Sequence, residues 1–101
     1  MGIINLGIIN LFKRKKADDE GARRSALLRA GRITEGSIFD VITDEEGAIT
    51  QVFYNYQING VEYESSQLLD AEQRLRSSDY FPGARITVRF NPRQPGNSLV
   101  V

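Results

Sequence analysis

The chain of 101 residues has no cysteine and no histidine. Without cysteine there is no disulfide framework, no thiolate zinc site and no cysteine nucleophile. Without histidine the commonest general base and the commonest transition-metal ligand are gone. No P-loop, dinucleotide-binding glycine motif or nucleophile elbow occurs. These absences weigh against an enzyme, and nothing in the sequence calls for a cofactor or a metal. An excess of one charge is missing too, since 13 Lys and Arg balance 13 Asp and Glu.

The apolar fraction of 41% and charged fraction of 26% fit one small soluble domain with a tail. The charge balance is uneven along the chain. Residues 1–32 hold eight basic and three acidic groups, a net of +5, and residues 33–101 hold five basic and ten acidic groups, a net of −5. A basic arm on an acidic body can reach an anionic surface with the arm alone, or the run can simply solvate its segment.

Residues 1–16 form the first of three segments. The unit Gly-Ile-Ile-Asn-Leu occurs twice, at 2–6 and 7–11, and contributes most of the apolar set Ile3, Ile4, Leu6, Ile8, Ile9, Leu11 and Phe12. The basic run Lys13, Arg14, Lys15 and Lys16 follows directly. As a helix this stretch spans about 16–18 Å, too short for a hydrocarbon core of about 30 Å. The basic run follows the apolar stretch rather than preceding it, which is the wrong order for a secretory signal. Leu6 stands where a myristoylation motif needs Ser or Thr. Three readings stay open. The segment dips into a membrane interface, docks on a partner or a second copy, or packs on its own domain; left bare, it would be an aggregation hazard.

Residues 17–32 read as a connector with a short helix. Acids lead and arginines follow, the order that suits the helix dipole, and Gly31 supplies the stop. Leu27, Leu28 and Ala30 give it a thin apolar stripe.

Residues 33–101 read as a small β-domain. Strand one is Ile33–Ile42, with Gly36 marking a bend or bulge. Thr43–Gly47 is a solvated turn whose acids lack the ligand spacing of a calcium loop. Strand two, Ile49–Ile58, meets Asn59-Gly60, a two-residue hairpin signal that pairs Ile58 with Val61, Tyr56 with Tyr63 and Tyr54 with Ser65. Asp70 with Gln73 predicts a capped helix of about nine residues, through Ser78, with Ala71 and Leu75 as its apolar stripe. In Ala84–Phe90, Ala84, Ile86, Val88 and Phe90 point inward and Arg85, Thr87 and Arg89 outward. A Pro-rich turn and a short strand at Ser98–Val101 end the chain. The expected fold is mainly β: a five-stranded antiparallel sheet curled toward a half-barrel, with one helix between strands three and four. A body this small buries only about 60% of its surface, so help from a neighbour, a membrane or a second copy is reasonable.

Several blocks occur in a set order: Leu27-Leu28-Arg29-Ala30-Gly31, Gly36-Ser37-Ile38, the Tyr-x-Tyr strand with Val61-Glu62-Tyr63-Glu64, Phe81-Pro82-Gly83, and Val88-Arg89-Phe90-Asn91-Pro92-x-x-Pro95. Their order over residues 27–101 resembles a widespread family of small bacterial β-domains of unknown function. Asn91 stands where that family usually has Asp. Members commonly sit beside transmembrane helices or carry a hydrophobic terminus, so the resemblance implies a membrane-proximal place. It supplies no catalytic residues.

Other candidate sites read as structural. Tyr54, Tyr56, Tyr63 and Phe53 could stack nucleic-acid bases, but the body is acidic and phosphate demands the opposite sign. Arg85 and Arg89 fit pairing with a neighbouring strand's Glu, and Glu62 with Glu64 a solvated face. The functional expectation is a non-enzymatic interaction module in the cytoplasm, at the inner face of the membrane. Its contacts are Ile3, Ile4, Leu6, Ile8, Ile9, Leu11, Phe12 and the basic run 13–16. The alternative is a soluble homo-oligomer or adaptor that buries residues 2–12 in a protein interface; nucleic acid is the least favoured partner.

Overall fold

A computed structural model describes residues 20–101. The leader 1–16, with every contact residue assigned to it, lies outside the described residues, as do residues 17–19. Helix α1 occupies residues 20–30. It is followed by β1 (Arg32–Thr43), β2 (Ile49–Ile58), β3 (Val61–Leu68), α2 (Ala71–Leu75), a 3-10 turn (Ser77–Tyr80), β4 (Arg85–Asn91) and β5 (Gln94–Val100). The five strands form one antiparallel sheet in the order β3-β2-β1-β4-β5, curled past a half-barrel until the two edge strands nearly meet.

The β2–β3 register is the one the Asn59-Gly60 turn dictates, with Ile58 opposite Val61, Tyr56 opposite Tyr63 and Tyr54 opposite Ser65. Both turn residues take positive φ, 53° at Asn59 and 82° at Gly60, as a two-residue hairpin requires. Val52, Tyr54 and Tyr56 point inward with Ile38, Ile86, Val88 and Phe90, and Leu69, Tyr80 and Val100 complete the cluster. Alternation on β4 is as expected: Ala84, Ile86, Val88 and Phe90 are all buried.

β3 and β5 run parallel to each other, because each is an even number of antiparallel steps from the other. No backbone ladder joins them among the described residues. Side chains span the gap instead. The Gln67 carboxamide accepts from the Val100 N–H at 2.8 Å and donates to the Val100 carbonyl at 3.1 Å, standing in for a strand. Gln73 donates to that same carbonyl at 2.9 Å. Farther along, the Tyr54 and Ser98 hydroxyls share a hydrogen bond of 2.7 Å, and the Tyr56 hydroxyl donates to the Pro95 carbonyl at 2.5 Å. Burial pushes the Tyr56 phenol above the ordinary tyrosine value.

Four expectations need correction. Gly36 is not a bulge: register runs unbroken through it to Tyr56 and Ile86, and the irregularities of β1 fall between Ile38 and Asp40, at Phe39, and between Ile42 and Thr43. Gly36 supplies room, since a Cβ there would lie 2.6 Å from the Asn55 carbonyl oxygen and 2.9 Å from Val88 Cγ2. The helix after Asp70 is five residues long and buries Gln73, while Leu75 is 89% exposed. The capping box explains this. Gln73 reaches back to the Asp70 N–H at 3.1 Å as Asp70 accepts from the Gln73 N–H at 2.8 Å, which turns Gln73 inward. Leu75, two residues on, is then rotated by about 200°. The tighter Ser77–Tyr80 turn brings Tyr80 back to the core. The last strand starts at Gln94 rather than Ser98, so Pro95 and Gly96 belong to an edge strand, where a missing N–H is tolerated. Finally, only Arg85 pairs with a neighbouring strand's Glu, bonding Glu35 at 2.6 Å, whereas Arg89 donates to the Gly31 carbonyl.

Two substitutions test this account through urea unfolding midpoints. Gly36→Ala forces a methyl group against the Asn55 carbonyl and should cost about 1–3 kcal/mol. Gln67→Met keeps the volume but strips the Val100 N–H of its partner, and should also cost about 1–3 kcal/mol. An unchanged midpoint in the second variant would mean that the amide does not hold the edge strands together.

Candidate functional site

Helix α1 lies across the β3–β5 gap. Its last turn closes with the Gly31 N–H on the Leu27 carbonyl at 2.9 Å. Only Leu27 of the expected stripe is buried; Leu28 and Ala30 stay exposed. Leu27 and Leu99 are buried apart from the main cluster, and Leu99 belongs to the face of β5 turned away from the barrel interior.

Two adjacent arginines tie the helix to opposite edges. Arg23 donates to Asn97 Oδ1 and to the Ser98 carbonyl on β5, each at 2.8 Å. Arg24 donates to the Leu68 carbonyl, at the end of β3, at 3.2 Å. Both converge on Glu20, which accepts from Arg23 at 2.6 and 2.9 Å and from Arg24 at 3.4 Å. The carbonyls they cap belong to edge strands, where backbone acceptors go unpaired in a sheet that does not close. The hydrogen bond from Arg23 holds the Glu20 carboxyl below its ordinary value, and Glu20 in turn raises Arg23. Beside this clamp lies a cleft of about 660 Å³, lined by Glu20, Arg23, Arg24, Gln51, Leu68 and Asn97 among others.

A second cleft, of about 680 Å³, opens on the outer side of β1 and β2 near Glu35, Ser37, Phe39, Asn55, Glu62 and Arg85. Its Arg85–Glu35 pair is exposed and contributes little to stability. Ser37 Oγ donates to Asn55 Oδ1 at 3.1 Å. Neither cleft brings a nucleophile to a base. Among the described residues no group of three or more Asp or Glu is placed to hold a metal ion, and no helix is long and apolar enough to cross a membrane.

The residues Ile3, Ile4, Leu6, Ile8, Ile9, Leu11, Phe12, Lys13, Arg14, Lys15 and Lys16 lie outside the described residues. The tyrosines weighed as a stacking platform form an interior row, with ring centroids 5.9 Å apart for Tyr54–Tyr56 and 5.5 Å for Tyr56–Tyr63. Tyr54 and Tyr56 are buried, so no base can reach them. Phe53 points outward, its ring 6.4 Å from that of Phe39. Glu62 and Glu64 sit exposed on β3. Sequence reasoning missed the Glu20–Arg23–Arg24 clamp. The i, i+3 and i, i+4 spacing of the three residues was the available signal.

A family model described as "Domain of unknown function (DUF3592)" matches residues 29–101. No curated protein and no solved structure matches the chain.

The clamp predicts an acid-sensitive helix. The Glu20 pKa is lower in the folded protein than in the unfolded chain, so its contribution is complete above the ordinary carboxylate range. It is lost as pH falls through the folded value. Amide exchange over residues 24–30, corrected for intrinsic rates, should speed up on acidification, and Glu20→Gln should abolish that step. The pair is partly exposed, so the global cost of the variant should stay below about 1 kcal/mol.

Proposed function

The chain belongs to the DUF3592 family of domains of unknown function, and on that premise we propose that it is a non-enzymatic interaction module, held peripherally at the inner face of a membrane by its N-terminal segment. The observation that carries this reading is the order of chemistries at the start of the chain. An uncharged repeat with seven Ile, Leu and Phe residues is followed at once by Lys13, Arg14, Lys15 and Lys16. Apolar side chains of this kind lodge at the acyl boundary, and basic groups just behind them meet anionic headgroups. One feature of the body supports it: residues 33–101 carry a charge of −5. An acidic body is repelled by the surface that attracts the leader, which favours contact through the leader alone.

Co-sedimentation of the full chain with vesicles tests the reading. Binding should require anionic lipid and weaken with salt. At about 1 kcal/mol per basic residue near such a surface, combining Lys13→Gln, Arg14→Gln, Lys15→Gln and Lys16→Gln should lower the affinity at least tenfold. Absence of binding to anionic vesicles, or equal binding by the variant, overturns it. In that case light scattering distinguishes the adaptor alternative, which requires self-association or a partner through residues 2–12.

A further inference from the structure

The outward face of β1–β3 carries an apolar patch beside the point where the leader joins the body. Pairing sets Ile42, Gln51 and Leu68 in one row and Asp40, Phe53 and Ser66 in the next. Both rows share the face opposite Val52 and Gln67, which point inward. The bulge adds Phe39 next to Phe53. Phe39, Ile42 and Leu68 are 47%, 46% and 59% exposed, which is high for three large apolar side chains on one face. Acidic groups flank them: Asp40 within the face, and Asp44, Glu45 and Glu46 in the turn that ends β1. Arg24, which borders the patch at Leu68, is already engaged by Glu20 and the Leu68 carbonyl.

We propose that, away from a membrane, this face is the dock for the chain's own residues 2–16, with the apolar repeat over Phe39, Ile42, Phe53 and Leu68 and the basic run against the acidic turn. The inference rests on the tether reading and adds its regulation: the surface that stores the segment competes with the bilayer for it.

Three observations select this occupant. The chain enters at the right place, because Glu20 lines the same cleft as Gln51 and Leu68. The reach suffices. Lys16 is four residues before Glu20, an extended chain covers about 3.3–3.6 Å per residue, and Ile42 lies two strands, about 10 Å, from Leu68. The chemistry is complementary in kind and order. The patch is apolar with an acidic end, and the leader is apolar with a basic end.

Cross-linking the full chain in lipid-free buffer tests the dock. The native chain has no cysteine, so an introduced pair reacts alone. Ile8→Cys with Ile42→Cys, and Ile8→Cys with Leu68→Cys, should join through a short bis-maleimide at monomer mass. Ile8→Cys with Thr87→Cys, on the outward side of β4, should not. Equal yield at position 87, products only at dimer mass, or no product at all overturns the dock. A second readout uses vesicles. Where the wild-type chain binds anionic vesicles, Ile42→Ser combined with Leu68→Ser should release the segment and raise that binding several-fold, and unchanged binding counts against the dock. If the wild-type chain ignores vesicles yet cross-links as described, the tether reading fails and the dock stands.

Discussion

The shape of this domain depends on how a five-stranded sheet deals with its two edges. Curling brings β3 and β5 side by side in the same direction, with Tyr63 near Gly96 and Gln67 near Val100. Pairing by backbone would make a closed barrel. The chain uses glutamine amides instead. One carboxamide offers an acceptor and a donor, as a peptide group does, and Gln67 presents both to Val100. Gln73 adds a second donor and accepts from the Asp70 N–H, so the same amide caps α2 and ties it to β5. A buried amide is costly unless its groups find partners, and these do. The polar seam therefore specifies where the barrel edges meet, which apolar packing alone would leave loose.

Helix α1 follows from that seam. A nearly closed barrel leaves backbone carbonyls at its lips, and Arg23 and Arg24 cap one on each side. Leu27 and Leu99 contribute apolar burial beneath the helix, while Glu20 gathers both guanidiniums. A helix this thinly apolar has little independent stability. Its arginines supply the attachment that its stripe does not. Burial of the inner wall is handled elsewhere, by a stacked tyrosine row in which the Tyr54 and Tyr56 hydroxyls reach β5.

Much of the sheet was legible from local signals. Asn59-Gly60 sets positive φ at two successive residues, and the turn length then fixes every pair up the hairpin. Strict alternation from Ala84 to Phe90 marks which side faces in. Two of the misreadings share a cause: a polar group does what an apolar one was expected to do. Gln67 and Gln73 occupy inward positions, which hydrophobic patterning assigns to the surface. The helix stripe was placed on Leu75 because Leu is apolar, yet the cap geometry had already turned Gln73 inward. Gly36 was read as an irregularity, although its role is close packing against Asn55 and Val88. The clamp joins α1 to residues more than forty positions away, a pairing no local pattern shows.

The candidate contacts of the leader are legible only as chemistry, and the body gives that chemistry its meaning. Charge in this chain is sorted rather than mixed, and the acids of the β1–β2 end stand beside exposed Phe39 and Ile42. At physiological salt, exposed charges feel each other over only about 8 Å. Three carboxylates in the turn at one strand end therefore act on what touches that end and little else. A basic run attached to an apolar repeat is matched by such a surface, and more strongly by an anionic bilayer, which offers a deeper apolar phase and many headgroups. A segment shared between two such sites moves only by the difference in their affinities. On the proposed reading, a modest self-contact on the sheet face would tune how much membrane is needed to claim the leader, without any change in the barrel itself.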